Sequence, residues 1–232
     1  MRAVAVAADR SLVTVERPQA QPAAGQVLIE IAYCGICGSD LHFRDVPELF
    51  PEGTIPGHEM SGRVVGLGGG VPSWLLGERV TVLPFGQCGE CELCRSGREQ
   101  VCPHAIPNGV GLGTGRPGGY AEHVVVDERM LFKLPDSVDD RAGALTEPLA
   151  VAVRAVERAA LARDAPAMIL GAGTIGGASR SSGSSAMPTR TISPAGPTSS
   201  TASRAAAGVP AHSKTQAGAI RAAAEASSSA TA

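Results

Sequence analysis

Aromatic residues are scarce in this 232-residue chain, which has one Trp, two Tyr and four Phe. That scarcity argues against a surface built to stack nucleobases. Basic runs are missing as well: 20 Lys and Arg stand against 22 Asp and Glu, they are scattered, and the net charge is −2. The electrostatic footprint of a nucleic-acid binder is therefore not there. No stretch approaches the ~18 apolar residues that a membrane helix needs. The opening Met1-Arg2-Ala3-Val4-Ala5-Val6 is too short for a secretory signal and alternates like a strand. The expectation is a cytoplasmic protein with neither nucleic acid nor membrane as partner. In a reducing compartment, clustered cysteines are metal ligands more often than disulfides.

Four of the six cysteines are clustered. Cys88, Cys91, Cys94 and Cys102 read C-x2-C-x2-C-x7-C within fifteen residues. The first three are too close together for long-range disulfides, and four thiolates can complete a tetrahedral shell around one zinc ion. The surrounding stretch, 86–100, is rich in Gly and charge and has no apolar periodicity, so it reads as a loop that gains its shape from the metal. A second constellation lies upstream. Cys37 follows an apolar run, and Pro56-Gly57-His58-Glu59 comes about twenty residues later. Thiolate, imidazole and carboxylate make a workable zinc shell, and fewer than four strong ligands leave a position open for water or substrate. Taken singly, each of these residues is as well explained by burial in a core. Cys34, His104 and His123 have no constellation; Cys34 reads as a small buried hydrophobe and the two histidines as structural or surface residues.

The first ~135 residues are β-rich. Val27–Tyr33, Ser61–Val65, Arg79–Leu83 and His123–Val126 are strand candidates, densely punctuated by Gly and Pro. Short strands with many turns predict a barrel or sandwich. Between 140 and 163 the period changes: Ala142, Leu145, Leu149, Val153, Val156 and Ala160 recur at steps of three and four, with Pro148 predicting a break into two helices. Ala167-Met168-Ile169-Leu170 then feeds into Gly171-Ala172-Gly173-Thr174-Ile175-Gly176, a G-x-G-x-x-G. Such a motif is weak alone and gains weight after a strand. From Gly177 onward Ala, Ser, Gly, Thr and Pro dominate, and no acidic residue occurs between Asp164 and Glu225. That segment cannot bury enough apolar area to offset its ordering entropy, although its Ala content allows a short helix over 215–226.

These motifs together resemble the zinc-dependent medium-chain alcohol dehydrogenases, in their sorbitol and threonine dehydrogenase branch, over roughly residues 1–176. Gly57-His58-Glu59-x2-Gly62-x5-Gly68-x2-Val71 is similar to the family's zinc signature. The four-cysteine spacing is similar to its structural-zinc lobe. Gly77-Glu78-Arg79-Val80 and Gly118-Gly119-Tyr120-Ala121-Glu122 are similar to recurring family segments. The resemblance implies a GroES-like catalytic barrel over 1–139 in a mostly β, α+β chain. Connecting helices and the start of a Rossmann domain would follow over 140–176, then a low-complexity tail over 177–232.

It further implies catalytic-zinc ligands at Cys37, His58 and Glu59, with Glu147 where relatives carry a third or exchanging ligand. Ser39 and His42 would form a proton relay, and Asp40 would orient His58 from behind. The activity implied is NAD- or NADP-linked oxidation of an alcohol or polyol, with two zincs per chain. Zinc would lower the pKa of the alcohol, Ser39 would accept its proton and His42 would pass it to solvent. Without the resemblance, Ser39 reads as a helix N-cap and His42 as a surface residue. Gly171, Gly173 and Gly176 would meet the dinucleotide, which the nicotinamide family uses for hydride transfer.

The pattern then departs from the family. Gly177-Ala178-Ser179-Arg180-Ser181-Ser182 is a poor helix sequence, the acid expected ~20 residues past the glycines is missing, and only the first Rossmann strand is recognisable. The abrupt loss of apolar periodicity suits GC-rich coding DNA read out of phase; a genuine disordered extension is the rival. The chain as written is expected to be inactive, with a non-catalytic zinc-binding GroES-like module as the alternative reading. Intact members of the family are homo-oligomers, whereas this chain is expected to be monomeric or to aggregate. A nucleic-acid-binding zinc finger is disfavoured because no basic recognition helix accompanies the cysteines.

Overall fold

The structure, a computed structural model, describes residues 1–113, 115–161, 167–171, 173–182 and 189–192. In chain order it begins with the strands β1 (Arg2–Val6), β2 (Leu12–Glu16) and β3 (Gln26–Gly35). The short helix α1 (Gly38–Phe43), β4 (Glu59–Leu67) and β5 (Arg79–Val82) come next. A one-turn helix α2 (Glu92–Arg95), β6 (His123–Asp127) and β7 (Leu131–Lys133) complete the β-rich part. Two helices follow, α3 (Asp140–Ala144) and α4 (Thr146–Ala159), and the described chain ends in β8 (Ala167–Leu170), α5 (Thr174–Ser182) and β9 (Thr189–Ile192).

The main sheet has five antiparallel strands in the order β6-β3-β4-β5-β7. Its inner face is aliphatic. Val27, Ile29, Met60, Val64, Val80, Val82, Val124 and Val126 are buried together, which follows from the alternation of β-branched residues along each strand. β4 is buried on both faces at its start, because α3 covers the side opposite the core. Arg79 ties α3 down, donating from Nε to the Asp140 carboxylate at 2.8 Å. Two register shifts interrupt β3, at Leu28/Ile29 and Ile31/Tyr33, irregularities of the kind that bend a strand. Among the described residues the sheet does not close into the expected barrel: β1 and β2 form their own hairpin, joined to the rest through an Ala3–Ala121 bridge.

Three local expectations need correction. Pro148 does not break the helix. The break falls at Leu145, and Pro148 lies in the first turn of α4, where its missing N–H has no intrahelical partner to lose. Ala160 is not helical but caps α4 in a left-handed conformation, φ 48°. The third concerns the stretch after the glycines. Thr174–Ser182 is helical despite its Ser content, and β9 lies parallel to β8 with Ala167 opposite Thr189 and Leu170 opposite Ile192. A βαβ unit is thus present where a single strand was expected. Turn geometry and packing of α5 on α4 outweigh weak helix propensity here. The proposed helix over 215–226, and the tail beyond 192, lie outside the described residues.

β8 alternates, with Met168 64 % and Leu170 74 % exposed. Two large apolar side chains side by side on one strand face are an aggregation liability. Replacing both by Thr, a good strand former, is expected to lower the binding of a fluorescent apolar dye and slow light-scattering growth, with the thermal midpoint unchanged within a few degrees. Identical scattering in the two proteins would remove this face as the source of association.

Candidate metal centres

The four-cysteine lobe is built by the chain itself. Cys91 caps α2 and accepts the N–H of Cys94 at 3.5 Å, while the Cys88 sulfur accepts the N–H groups of Cys91 at 3.3 Å and Glu90 at 3.5 Å. Those backbone donors pull the Cys88 thiol down to about 6, favouring the thiolate that binds metal. No disulfide links the six cysteines. The sulfur separations are 3.9 Å for Cys88–Cys94, 3.9 Å for Cys91–Cys102 and 3.6 Å for Cys102–Cys88. A tetrahedron of thiolates at ~2.3 Å from zinc has edges of about 3.8 Å. The donor set and its dimensions therefore fit a structural zinc. Arg129 fastens the lobe to the main body by donating to the Cys88 carbonyl at 2.9 Å.

The second cluster assembles where β3 ends and β4 begins. Cys37, His58 and Glu59 bring a sulfur, a ring nitrogen and a carboxylate oxygen within 4.8 Å of one another. Two glycines make this approach possible. Gly57 has φ +97°, and a Cβ there would run into the Tyr120 ring and the Cys34 sulfur. Gly35 has the Glu59 carboxylate laid directly against its backbone. Behind the cluster, Asp40 is fully buried. It accepts the Cys37 N–H at 3.0 Å and the Tyr120 hydroxyl at 2.8 Å, and its other oxygen stands 3.4 Å from His58 Nδ1. At that length the His58 contact is electrostatic rather than a well-formed hydrogen bond. It turns Nδ1 toward the carboxylate and leaves Nε2 for a metal.

The charges in this pocket report what it is built to hold. Burial works against an imidazolium at His58, yet the Asp40 carboxylate and the Cys37 sulfur outweigh it and carry its pKa up to about 11. Burial pushes Glu59 upward, partly offset by His58. Burial also lifts Glu147 to about 7, with His58 pulling down and Glu59 and Asp40 pushing up. The Cys34 thiol, half-buried against the core, rises to about 12 through desolvation and the Asp40 charge, and is not a thiolate. So many anionic groups around one imidazole suit a divalent cation, and sulfur with nitrogen and one carboxylate suits zinc.

Glu147 comes from the first turn of α4 and is buried. It feels the cluster's charges but stands outside the three-residue set that converges within 4.8 Å. Ser39 and His42 lie three apart on α1, hence on one side of it; Ser39 is half-buried and His42 exposed. Ser39 is not the N-cap, because Cys37 takes that place and Ser39 lies inside the helix. His104, two residues after Cys102, is exposed and His123 is half-buried, and neither belongs to a cluster. Tyr120, whose hydroxyl holds Asp40 in place, was not singled out by spacing or residue type; its position after Gly118-Gly119 was the only signal. At the other end of the chain, Gly171 turns with φ +105° and Gly176 lets α5 pack against the Gly171 carbonyl. Both features are needed by a dinucleotide turn. A Cβ on Gly173 would meet nothing.

The chain is similar to known proteins. The family model of the alcohol dehydrogenase GroES-like domain matches residues 23–136. The chain belongs to the zinc-dependent medium-chain alcohol dehydrogenases. Within that family, 2-dehydro-3-deoxy-L-galactonate 5-dehydrogenase of Pseudoalteromonas atlantica is 40 % identical over 72 % of this chain and 49 % of its own length. Sorbitol dehydrogenase of Halalkalibacterium halodurans is 36 % identical over 69 % of this chain and 46 % of its own. Acetophenone reductase from Geotrichum candidum, solved in complex with NAD, superposes with a TM-score of 0.72 at 27 % identity, covering 82 % of this chain and 56 % of that one. The chain spans about half the length of the curated relatives it matches.

Two outcomes follow from the site. Asp40→Asn should weaken zinc binding at the three-donor cluster about 10–100-fold while leaving the four-thiolate lobe loaded, read by competition with a chromophoric chelator; equal affinity in both proteins would remove Asp40 as an orienting group. The second concerns pH. In the zinc-free folded chain Glu147 keeps its proton up to about pH 7, whereas the ordinary value is 4.5. Between those values the folded state binds the extra proton, so stability must fall as pH rises. The urea midpoint of the zinc-free protein is therefore expected to drop across that window relative to Glu147→Gln. A difference between the two profiles that stays flat or grows with pH contradicts the assignment.

Proposed function

We propose that the Cys37–His58–Glu59 cluster holds a catalytic zinc, with Glu147 in reserve as a fourth donor, and serves the oxidation of a CH–OH group in a small alcohol or polyol. The observation that carries this reading is the convergence of three unlike donors with a buried carboxylate behind the imidazole. Zinc bound there supplies the Lewis acidity that lowers an alcohol's pKa. The chain's own residues do the rest. Three protein donors leave a coordination position open, in contrast to the four sulfurs of the lobe. Ser39, at the start of α1 two residues beyond the cysteine ligand, accepts the hydroxyl proton. His42, on the same side of α1 and exposed, passes that proton to water. Asp40 and Tyr120 hold His58 in orientation throughout. The four cysteines hold the second zinc, which is structural.

The hydride acceptor would be NAD or NADP, seated against the turn at Gly171, Gly173 and Gly176. Gly171 and Gly176 support that seat. The lack of any acid between Asp164 and Glu225 weakens it, since the ribose then has no carboxylate partner. This observation favours a second reading, in which the chain as written keeps zinc but is a non-catalytic module.

Cobalt substitution separates the possibilities. An open three-donor site should change its visible ligand-field bands when sorbitol or 2,3-butanediol is added, and Ser39→Ala should retain that change. Bands indifferent to every alcohol would mark a closed, structural site and end the catalytic reading. Titration of NADH into the zinc-loaded chain then decides between enzyme and module: saturable micromolar quenching supports turnover, and its absence supports the module.

A further inference from the structure

A cavity of about 410 Å3 opens on the outer face of β6, and it shares no lining residue with either metal centre. It forms where the segment after β2, with Arg17 and Gln21, passes over β6 and meets the turns at Ile55 and Arg116. Its volume lies within the range of small-molecule sites.

The polar groups around it are unevenly charged. Arg17 is exposed, and the one bond made by its guanidinium among the described residues is Nη1 to the Glu16 carbonyl at 3.2 Å. It has no carboxylate partner there. Arg116, by contrast, is already matched by Asp127, at 2.9 and 3.2 Å. His123 points its Nδ1 out of water's reach, with no hydrogen-bond partner among the described residues. A buried polar nitrogen left unpaired costs about 1–3 kcal/mol, so a turn of the ring that brings Nδ1 to a ligand atom in the cavity would recover that cost. Its cross-strand neighbour is Glu30, which is exposed and does not line the cavity. Among the described residues no carboxylate lines the cavity. Ile55, nearly fully buried, Val125, on the same face of β6 as His123, and Pro117 give it an apolar floor.

We propose that this cavity binds a small monocarboxylate with an apolar body. Arg17 forms the charge-assisted pair, His123 provides the second polar contact, and the hydrocarbon part lies over Ile55 and Val125. Arg116 shapes the wall but contributes little charge, because Asp127 already neutralises it. The assignment is independent of the proposed dehydrogenase chemistry, since no residue is shared between the two.

Benzoate is a suitable probe, titrated calorimetrically into the zinc-loaded full chain at fixed ionic strength. Saturable binding is expected, weakened at least tenfold in Arg17→Gln and several-fold in His123→Gln, with the His123 ring resonances moving on addition in the unaltered protein. Equimolar chloride should not displace it. Arg17 is exposed and His123 half-buried, and an unchanged near-ultraviolet circular dichroism spectrum confirms that each variant is folded. No saturable heat, undiminished binding in both variants, or displacement by chloride alone would each overturn the proposal.

Discussion

Buried negative charge must be balanced by positive charge close at hand, and the β3–β4 junction is organised around that requirement. Asp40, Glu59 and Glu147 are all buried, beside a cysteine sulfur, with a single imidazole among them. An unpaired buried carboxylate is too costly to persist. The upward shifts at His58 and Glu147 are two ways in which the polypeptide alone answers the imbalance, by keeping protons. A divalent cation answers it better. Much of the surrounding geometry exists to bring those groups together: the left-handed Gly57, the bare backbone of Gly35, and α4 starting where Glu147 can turn inward.

The two metal centres differ in what supports them. In the lobe, ligands and backbone donors come from one short stretch, so its shape is local. The second cluster has ligands from the end of β3 and the start of β4, a backing carboxylate from α1, and a tyrosine from the segment before β6. Its precision depends on the sheet being correctly paired. This is the usual division between a site that stabilises its own fold and one whose fold stabilises it.

Much of this was legible in the sequence because it is periodic or closely spaced. The strands of the main sheet announce themselves by β-branched alternation, and the cysteine lobe by its spacing. The start of α4 was not legible, because Pro148 reads as a breaker unless one knows that it falls in a first turn. The open sheet has no compositional trace either: β1 and β2 pair with each other and meet the rest at an Ala3–Ala121 bridge. Thr174–Ser182 has weak helix propensity, and the turn and the α4 surface that hold it leave no mark in its own residues. Within the site, Cys37, His58 and Glu59 could be named from residue type, whereas Tyr120 could not. Its role arises from a fold that brings it to Asp40 across eighty residues of chain.

That difference in sequence span has a kinetic side. Cys88 and Cys102 are 14 residues apart, whereas Asp40 and Tyr120, whose contact backs the other centre, are 80 apart. Between two and three doublings of loop length separate the two closures, each costing ~0.6 kcal/mol more. The lobe can therefore capture its ion on a chain that has not yet paired its strands, while the other centre must wait for the sheet. During synthesis the short stretch between β5 and β6 is in a position to compete for scarce metal first, and the Cys37–His58–Glu59 cluster would take its ion last.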